Sequence, residues 1–389
     1  MSRRAITRTR PLVAHITTTD MSLDWLLGPQ LQAFGNAGYE VVGLSAAGPH
    51  VAHLAELGVR HIEIPAFTRS ANPLQDVRAF GQLVKALRSL RPDIVHAHNP
   101  KPGILGRIAG RLTGAPLVVN TQHGLWAQPT DRWQRRFPVY AAERFAACFS
   151  DAELVQNPED VDTLVKTLHI PSNRVRLLGN GIDMARFAPQ AVSPRTRQSL
   201  RDEWGIEDDD IVCLVVGRLV VEKGLIELLD AAHRLHLIDP RVRFVLVGPT
   251  DPDKSDAIGA DILERAQNEG VILTGTRSDM PECYAAADLF VAASWREGFP
   301  RSAMEAAAMG LPTVASDIRG NRQVIAHEET GLVVPVRDAP AIAQAVEILV
   351  KDESLRSRMG AAARQKALAE FDQQQIIDLT LSVYGSVTS

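Results

Sequence analysis

The chain has 389 residues, too many for one ordinary hydrophobic core, so two domains are expected. Hydrophobic residues make up 45% and charged residues 23%, as in a globular protein, and a net charge of −4 excludes the strong basic excess of a nucleic-acid binder. No apolar stretch is long enough to cross a bilayer, and the basic start (Arg3, Arg4, Arg8, Arg10) lacks the apolar core of a signal peptide.

Strands and helical patterns alternate from end to end, the mark of parallel sheets built from β-α-β units. In the first half, Leu12–Thr17, Glu40–Leu44, His61–Ile64, Ile94–His98, Leu117–Thr121 and Ala152–Gln156 read as strands. Between them lie helical stretches such as Leu23–Phe34, Leu74–Leu90 and Gly103–Leu112. The first strand runs into Thr17-Thr-Thr-Asp20-Met-Ser. Neither half carries Gly-x-Gly-x-x-Gly after its first strand, which weakens the reading as a nicotinamide-dependent dehydrogenase. His96 and His98 end a strand and share one of its faces by alternation, and His123 follows the next strand. Arg132–Tyr140 mixes three arginines with three aromatics. That composition suits a lipid interface and equally a plain solvated helix face. Cys148, Cys213 and Cys283 sit in apolar stretches without metal-ligand spacing and read as buried, reduced thiols, which fits a cytoplasmic protein.

The region Asn180–Asp210 is rich in Pro, Ser and charge and holds no convincing strand, so the domain boundary is placed there. Within it, Asp208-Asp-Asp210 reads as a solvated acidic run and not as a metal site. The strand pattern restarts at Ile211 and continues through Val242–Val247, Val271–Thr274, Leu289–Ala293, Thr313–Ala315 and Leu332–Val334, ahead of a helical tail, Asp372–Tyr384. The strand Ile211–Gly217 leads into Arg218-Leu-Val-Val-Glu-Lys223-Gly224 and a helix over Leu225–Arg234. Two cations thus stand on a loop at a strand's carboxyl end, where Arg can bind a diphosphate in bidentate fashion and Lys as a point charge. Later, Asp288-Leu-Phe-Val-Ala-Ala-Ser reads as a strand, Gly298 and Pro300 force a turn, and Arg301–Met309 reads as a helix. Glu297 then lies in the loop and Glu305 on the helix's first turns, with backbone N–H groups between them available to an anion.

Together these segments resemble the retaining glycosyltransferases of family 4, which have the GT-B fold. A Glu, seven intervening residues and a second Glu match Glu297 and Glu305, and a Gly-Arg followed by Lys-Gly matches Gly217, Arg218, Lys223 and Gly224. Asn180-Gly-Ile-Asp183-Met-Ala-Arg-Phe187, Val271-Ile-Leu-Thr-Gly275 and Thr330-Gly-Leu-Val-Val-Pro335 extend the match over nearly the whole chain. The resemblance implies an α/β fold of two Rossmann-like parallel-sheet domains facing a cleft. Residues 1–185 would form the acceptor-side domain, 186–371 the nucleotide-sugar domain, and 372–389 a helix packing back on the first domain.

The resemblance further implies a metal-independent transferase that moves a sugar, with retention, from a nucleotide-diphosphate sugar. The acceptor would be a hydroxyl of a glycan or polyprenyl-diphosphate-linked glycan. His123 would contact the donor sugar near the reacting centre, Glu297 its hydroxyls, and Glu305 the ribose diol. Arg218, Lys223 and the turn Gly298, Phe299, Pro300, Arg301 would hold the diphosphate, with no cofactor and no metal. Pro300 itself has no N–H to give. Asp20 would contact the acceptor or cap its own loop. Asn99-Pro-Lys101-Pro-Gly-Ile-Leu-Gly-Arg107 and Arg319-Gly-Asn-Arg-Gln-Val resemble the subgroup that builds capsule, exopolysaccharide and lipid-linked oligosaccharides. A UDP-sugar donor and work at the inner face of the cell membrane follow as expectations. An epimerase or hydrolase on the same fold, and a non-catalytic sugar-nucleotide-binding scaffold, remain as alternatives.

Overall fold

The computed structural model describes residues 8–388, apart from 69, 71, 99, 252, 253 and 255. Arg3 and Arg4 of the basic start and Asn99 of the Asn99–Arg107 stretch lie outside the described residues. The chain divides into two compact units, Met1–Gly179 with Gln374–Ser389, and Asn180–Gln373.

The first unit is built on seven parallel strands: β1 (Leu12–Thr19), β2 (Glu40–Ala46), β3 (Arg60–Glu63), β4 (Ile94–His98), β5 (Leu117–Gln122), β6 (Ala152–Val155) and β7 (Val175–Leu177). Their order is β3-β2-β1-β4-β5-β6-β7. The second unit has six: β8 (Ile211–Val216), β9 (Val242–Val247), β10 (Ile272–Gly275), β11 (Leu289–Ala292), β12 (Thr313–Ser316) and β13 (Gly331–Val334), in the order β10-β9-β8-β11-β12-β13. Both sheets reverse strand order once, between β1 and β4 and between β8 and β11. In doubly wound sheets ligands bind beyond the carboxyl ends of the strands at such a reversal.

Central strands of this kind are covered on both faces and so read as continuous apolar runs. In β1, Leu12, Ala14 and Ile16 enter one core cluster with Leu83 and Leu87, while Val13 enters another with Leu23, Leu31 and Phe34. The helix Gln373–Thr388 contributes Ile376, Ile377, Val383 and Tyr384 to that second cluster, so the C-terminal segment completes the first unit's core.

The structure corrects three readings and adds a helix to a fourth region. The stretch Leu23–Phe34 is not one helix: a π-helical turn, Ser22–Leu26, precedes the α-helix Gly28–Asn36, which restarts where Pro29 occupies its first turn. The region Asn180–Asp210 holds the helix Pro194–Glu203, and its Leu200 joins Phe187, Trp204 and Ile206 in the second unit's core. Asp210 is not solvated, because its carboxylate accepts from the Glu207 N–H at 3.0 Å and pairs with Arg243 at 3.2 Å. Cys148 is exposed, since it lies just past the end of the helix Trp133–Ala147 on its outer side.

Candidate active site

The loop after β8 is held from both sides. Leu219 N–H donates to the Pro249 carbonyl, and Val221 N–H to that of Asp256. A short 3-10 turn, Val221–Lys223, ends at Gly224, which is left-handed with φ of 72°. A Cβ on Gly224 would lie 2.0 Å from the Ala293 carbonyl oxygen, so only glycine lets this loop press against the end of β11. That approach places the Lys223 ammonium on the Glu297 carboxylate, with which it forms a hydrogen-bonded ion pair.

The loop after β11 is anchored in turn. Trp295 N–H donates to the Glu222 carbonyl at 2.9 Å, and its indole N–H to Glu227 at 3.3 Å. The Arg337 guanidinium lies 3.8 Å over the Trp295 ring. Ser294 Oγ donates to Glu297 Oε1 at 3.1 Å, so one carboxylate oxygen serves both Ser294 and Lys223. Gly320 backs the loop, because a Cβ there would meet the Glu297 carbonyl at 2.7 Å.

Gly217, Arg218, Lys223, Ser294, Glu297 and Pro300 line one cavity at the β8–β11 reversal. Arg218 pairs with Asp251 at 2.8 Å and keeps 40% of its side chain exposed. The helix Arg301–Ala308 begins behind Pro300 without a side-chain cap. Two cations and an uncapped helix start therefore converge on one space, an arrangement suited to a polyanion.

The other expected donor residues are placed differently. Glu305 lies one turn into that helix, accepts from the Tyr284 hydroxyl at 2.9 Å and pairs with Arg301 at 3.4 Å. Burial pushes its carboxyl upward against the pull of Arg301 and Tyr284. Phe299 turns to the core and meets Phe371 edge-on at 6.0 Å, while its carbonyl accepts from Asn180. Ser302 and Asn321 also line the cavity and were not singled out from the sequence. Asn321 is fully buried and donates to the Ser316 carbonyl at 2.9 Å, but its Oδ1 has no protein partner. It lies on the short helix Arg319–Val324 just after β12, the next strand beyond β11.

In the first unit, His123 is half-buried and bonds through Nε2 to His98 Nδ1 at 3.1 Å. Burial lowers its pKa to about 4, with Gln156 pulling the other way. His96 and His98 are buried and joined by His15, which the β1–β4 register sets beside His96. The ligand nitrogens of His15, His96 and His98 lie within 4.8 Å of one another, close enough for a metal. Hydrogen bonds to one another and to neighbouring hydroxyls already engage them. Asp20 caps its own surroundings, accepting from the N–H groups of Met21 and His50, each at 2.8 Å.

Residues 196–366 match the family described as glycosyl transferases group 1, and residues 28–181 match the glycosyl transferase 4-like domain. The chain is 31% identical over 326 residues to the alpha-D-kanosaminyltransferase of Streptomyces kanamyceticus, covering 79% of this chain and 83% of that one. It is 29% identical over 346 residues to the UDP-Gal:alpha-D-GlcNAc-diphosphoundecaprenol alpha-1,3-galactosyltransferase of Escherichia coli, covering 87% and 86%. Among solved structures, Anabaena HepE in complex with UDP superposes with a TM-score of 0.79 at 19% identity, covering 97% of this chain and all (100%) of that one.

Proposed function

The chain belongs to the family 4 glycosyltransferases of GT-B fold, and on that premise we propose that it transfers a sugar, with retention and without a metal, from a UDP-sugar to a polyprenyl-diphosphate-linked glycan or growing polysaccharide. The observation that carries this reading is the cavity in which Arg218, Lys223 and Glu297 meet at the β8–β11 reversal. As the glycosidic bond breaks, negative charge grows on the departing diphosphate, and fixed cations stabilise it more in the transition state than in the ground state. Arg218 and Lys223 take that role, Glu297 accepts from sugar hydroxyls, and Glu305 from the ribose. Gly298 and Phe299 shape the turn before the helix, whose N–H groups from Arg301 onward add to the diphosphate's hold, and His123 serves the donor sugar. The galactosyltransferase relative, named for a diphosphoundecaprenol-linked acceptor, supports the acceptor class.

Thermal stability measured against a panel of nucleotide diphosphates and nucleotide sugars, with EDTA present, tests the donor. A UDP-sugar at a hundredfold excess over its Kd should stabilise the protein by about 2.7 kcal/mol. No shift with any member, or a shift that EDTA abolishes, overturns the metal-independent reading. Nucleotide release that requires acceptor separates a transferase from the hydrolase, epimerase and scaffold alternatives.

We further propose that the first unit docks on anionic lipid. On the helix Trp133–Ala147, the residues Trp133, Phe137, Ala141 and Phe145 fall at i, i+4 spacing on an exposed stripe, with Trp133 and Phe137 66% and 69% exposed. Arg132, Arg135, Arg136 and Arg144 flank it, while Glu143, the helix's acidic residue, is buried. No helix among the described residues is long and apolar enough to cross a membrane, so the contact would be peripheral, at the inner face of the cell membrane. Co-sedimentation with phosphatidylglycerol vesicles should recover the protein in the pellet and lose it with Trp133→Ala and Phe137→Ala combined. Equal partition of both forms refutes this.

A further inference from the structure

Four histidines of the first unit, His15, His96, His98 and His123, form a single hydrogen-bonded string that the proposed chemistry does not account for. Strand alternation puts His15 on β1, His96 and His98 on β4, and Thr121 on β5 on one face of the sheet, the face that packs with Tyr384. Thr121 Oγ1 meets His96 Nε2 at 2.7 Å, and His96 Nδ1 meets the Tyr384 hydroxyl at 2.5 Å. The same hydroxyl meets His15 Nε2 at 3.4 Å, His15 Nδ1 meets His98 Nε2 at 3.0 Å, and His98 Nδ1 meets His123 Nε2 at 3.1 Å. His15, His96 and His98 are each no more than 2% exposed. Burial holds all three rings well below the ordinary histidine range, so they are neutral at pH 7.

A neutral imidazole has one N–H and one acceptor nitrogen. Every link here runs between two ring nitrogens or through a hydroxyl, so once the Tyr384 proton is given to one of its two partners the direction of every other link follows. Only two arrangements satisfy every contact and also give the Tyr384 proton a partner in the string. If Tyr384 donates to His15, all four rings carry the proton on Nδ1. If it donates to His96, its oxygen accepts from His15 Nε2, and all four carry the proton on Nε2. The phenol is a stronger acid than a neutral imidazole N–H, and its short contact is the one to His96.

We propose that Tyr384, donating to His96 and accepting from His15, holds His15, His96, His98 and His123 together in the Nε2–H form, so that His123 keeps Nδ1 as an acceptor. Tyr384, His15 and His98 are then positioning residues for His123. The catalytic consequence, though not the tautomer order itself, rests on the proposed role of His123 in sugar transfer.

Long-range proton–nitrogen NMR on the full-length protein labelled with 15N at histidine reads each tautomer directly. The unsubstituted protein should show the four rings as Nε2–H, and an Nδ1–H signal from any of them overturns the proposal without recourse to a variant. Tyr384→Phe should leave His98 and His123 as tautomer mixtures, whereas Thr121→Val, beyond the other side of His96, should leave them as Nε2–H. An unaltered His123 signal in Tyr384→Phe refutes the coupling. In turnover assays Tyr384→Phe should lower kcat on the order of tenfold with the donor KM unchanged. If no donor is ever turned over, the proposed function fails while the NMR result still decides the string.

Discussion

Lys223→Ala lowers turnover by roughly 10²–10³-fold and leaves the protein folded, the size expected when one preorganised charge is withdrawn from a transition state. The ammonium sits on a surface loop with 28% of its side chain exposed, so its loss opens no core cavity. Glu297→Ala should produce a fall of the same order. The two are partners in one ion pair, and Ser294 holds the same carboxylate oxygen, so their effects should not add: the double variant should be about as slow as the slower single one. Turnover by nucleotide release, with the melting temperature of each variant beside it, provides the check. Near-normal kcat in either single variant removes that residue from the assignment, and a raised KM with unchanged kcat would reduce it to uniform binding.

Arg107→Ala destabilises the first unit by about 3–5 kcal/mol, the usual result of removing one member of a buried ionic cluster. Arg107 is fully buried, with Nη2 at 2.5 Å from Glu143 and Nη1 at 2.9 Å from Glu153. Burial works against its charge, but the two carboxylates outweigh that and hold it protonated. Asn120 donates to Glu153 at 2.7 Å and Gln122 to Glu143 at 2.8 Å, so the carboxylates are tied into the sheet and cannot turn to water. Without the guanidinium, two negative groups stay buried with neutral donors alone. Urea unfolding followed by tryptophan fluorescence should show a lower midpoint at unchanged slope. A loss under about 1 kcal/mol would mean the carboxylates relax to solvent, contrary to their burial.

The sheets were legible because strands buried on both faces are dominated by apolar residues, and Ile94–His98 and Val242–Val247 match the reading residue for residue. β7 was missed because it is three residues at a sheet edge, with Arg176 and Leu177 exposed and no apolar run to mark it. The Arg218, Lys223 and Glu297 positions could be found because each follows directly from a strand end and a glycine or proline turn. Asn321 could not, since an asparagine on a short helix after a strand carries no pattern that separates a cavity wall from an ordinary buried helix position. The pairing of His96 with Tyr384 spans 288 positions, and no local periodicity encodes a partner at that distance. What alternation does show is that His96 and His98 share a face; the identity of what covers that face comes only from the fold.

The contribution of Gln374–Ser389 to the first unit also sets an order of assembly. Residues up to Gly179 leave the ribosome well before residue 374 is made, and Asn180–Gln373 can close its own sheet in the interval. The unit translated first is thus finished after the one that follows it. Until the last helix emerges, the apolar faces that Ile376, Ile377 and Tyr384 cover are left for a chaperone to shield, and a nascent chain stalled in the second unit presents them to proteases.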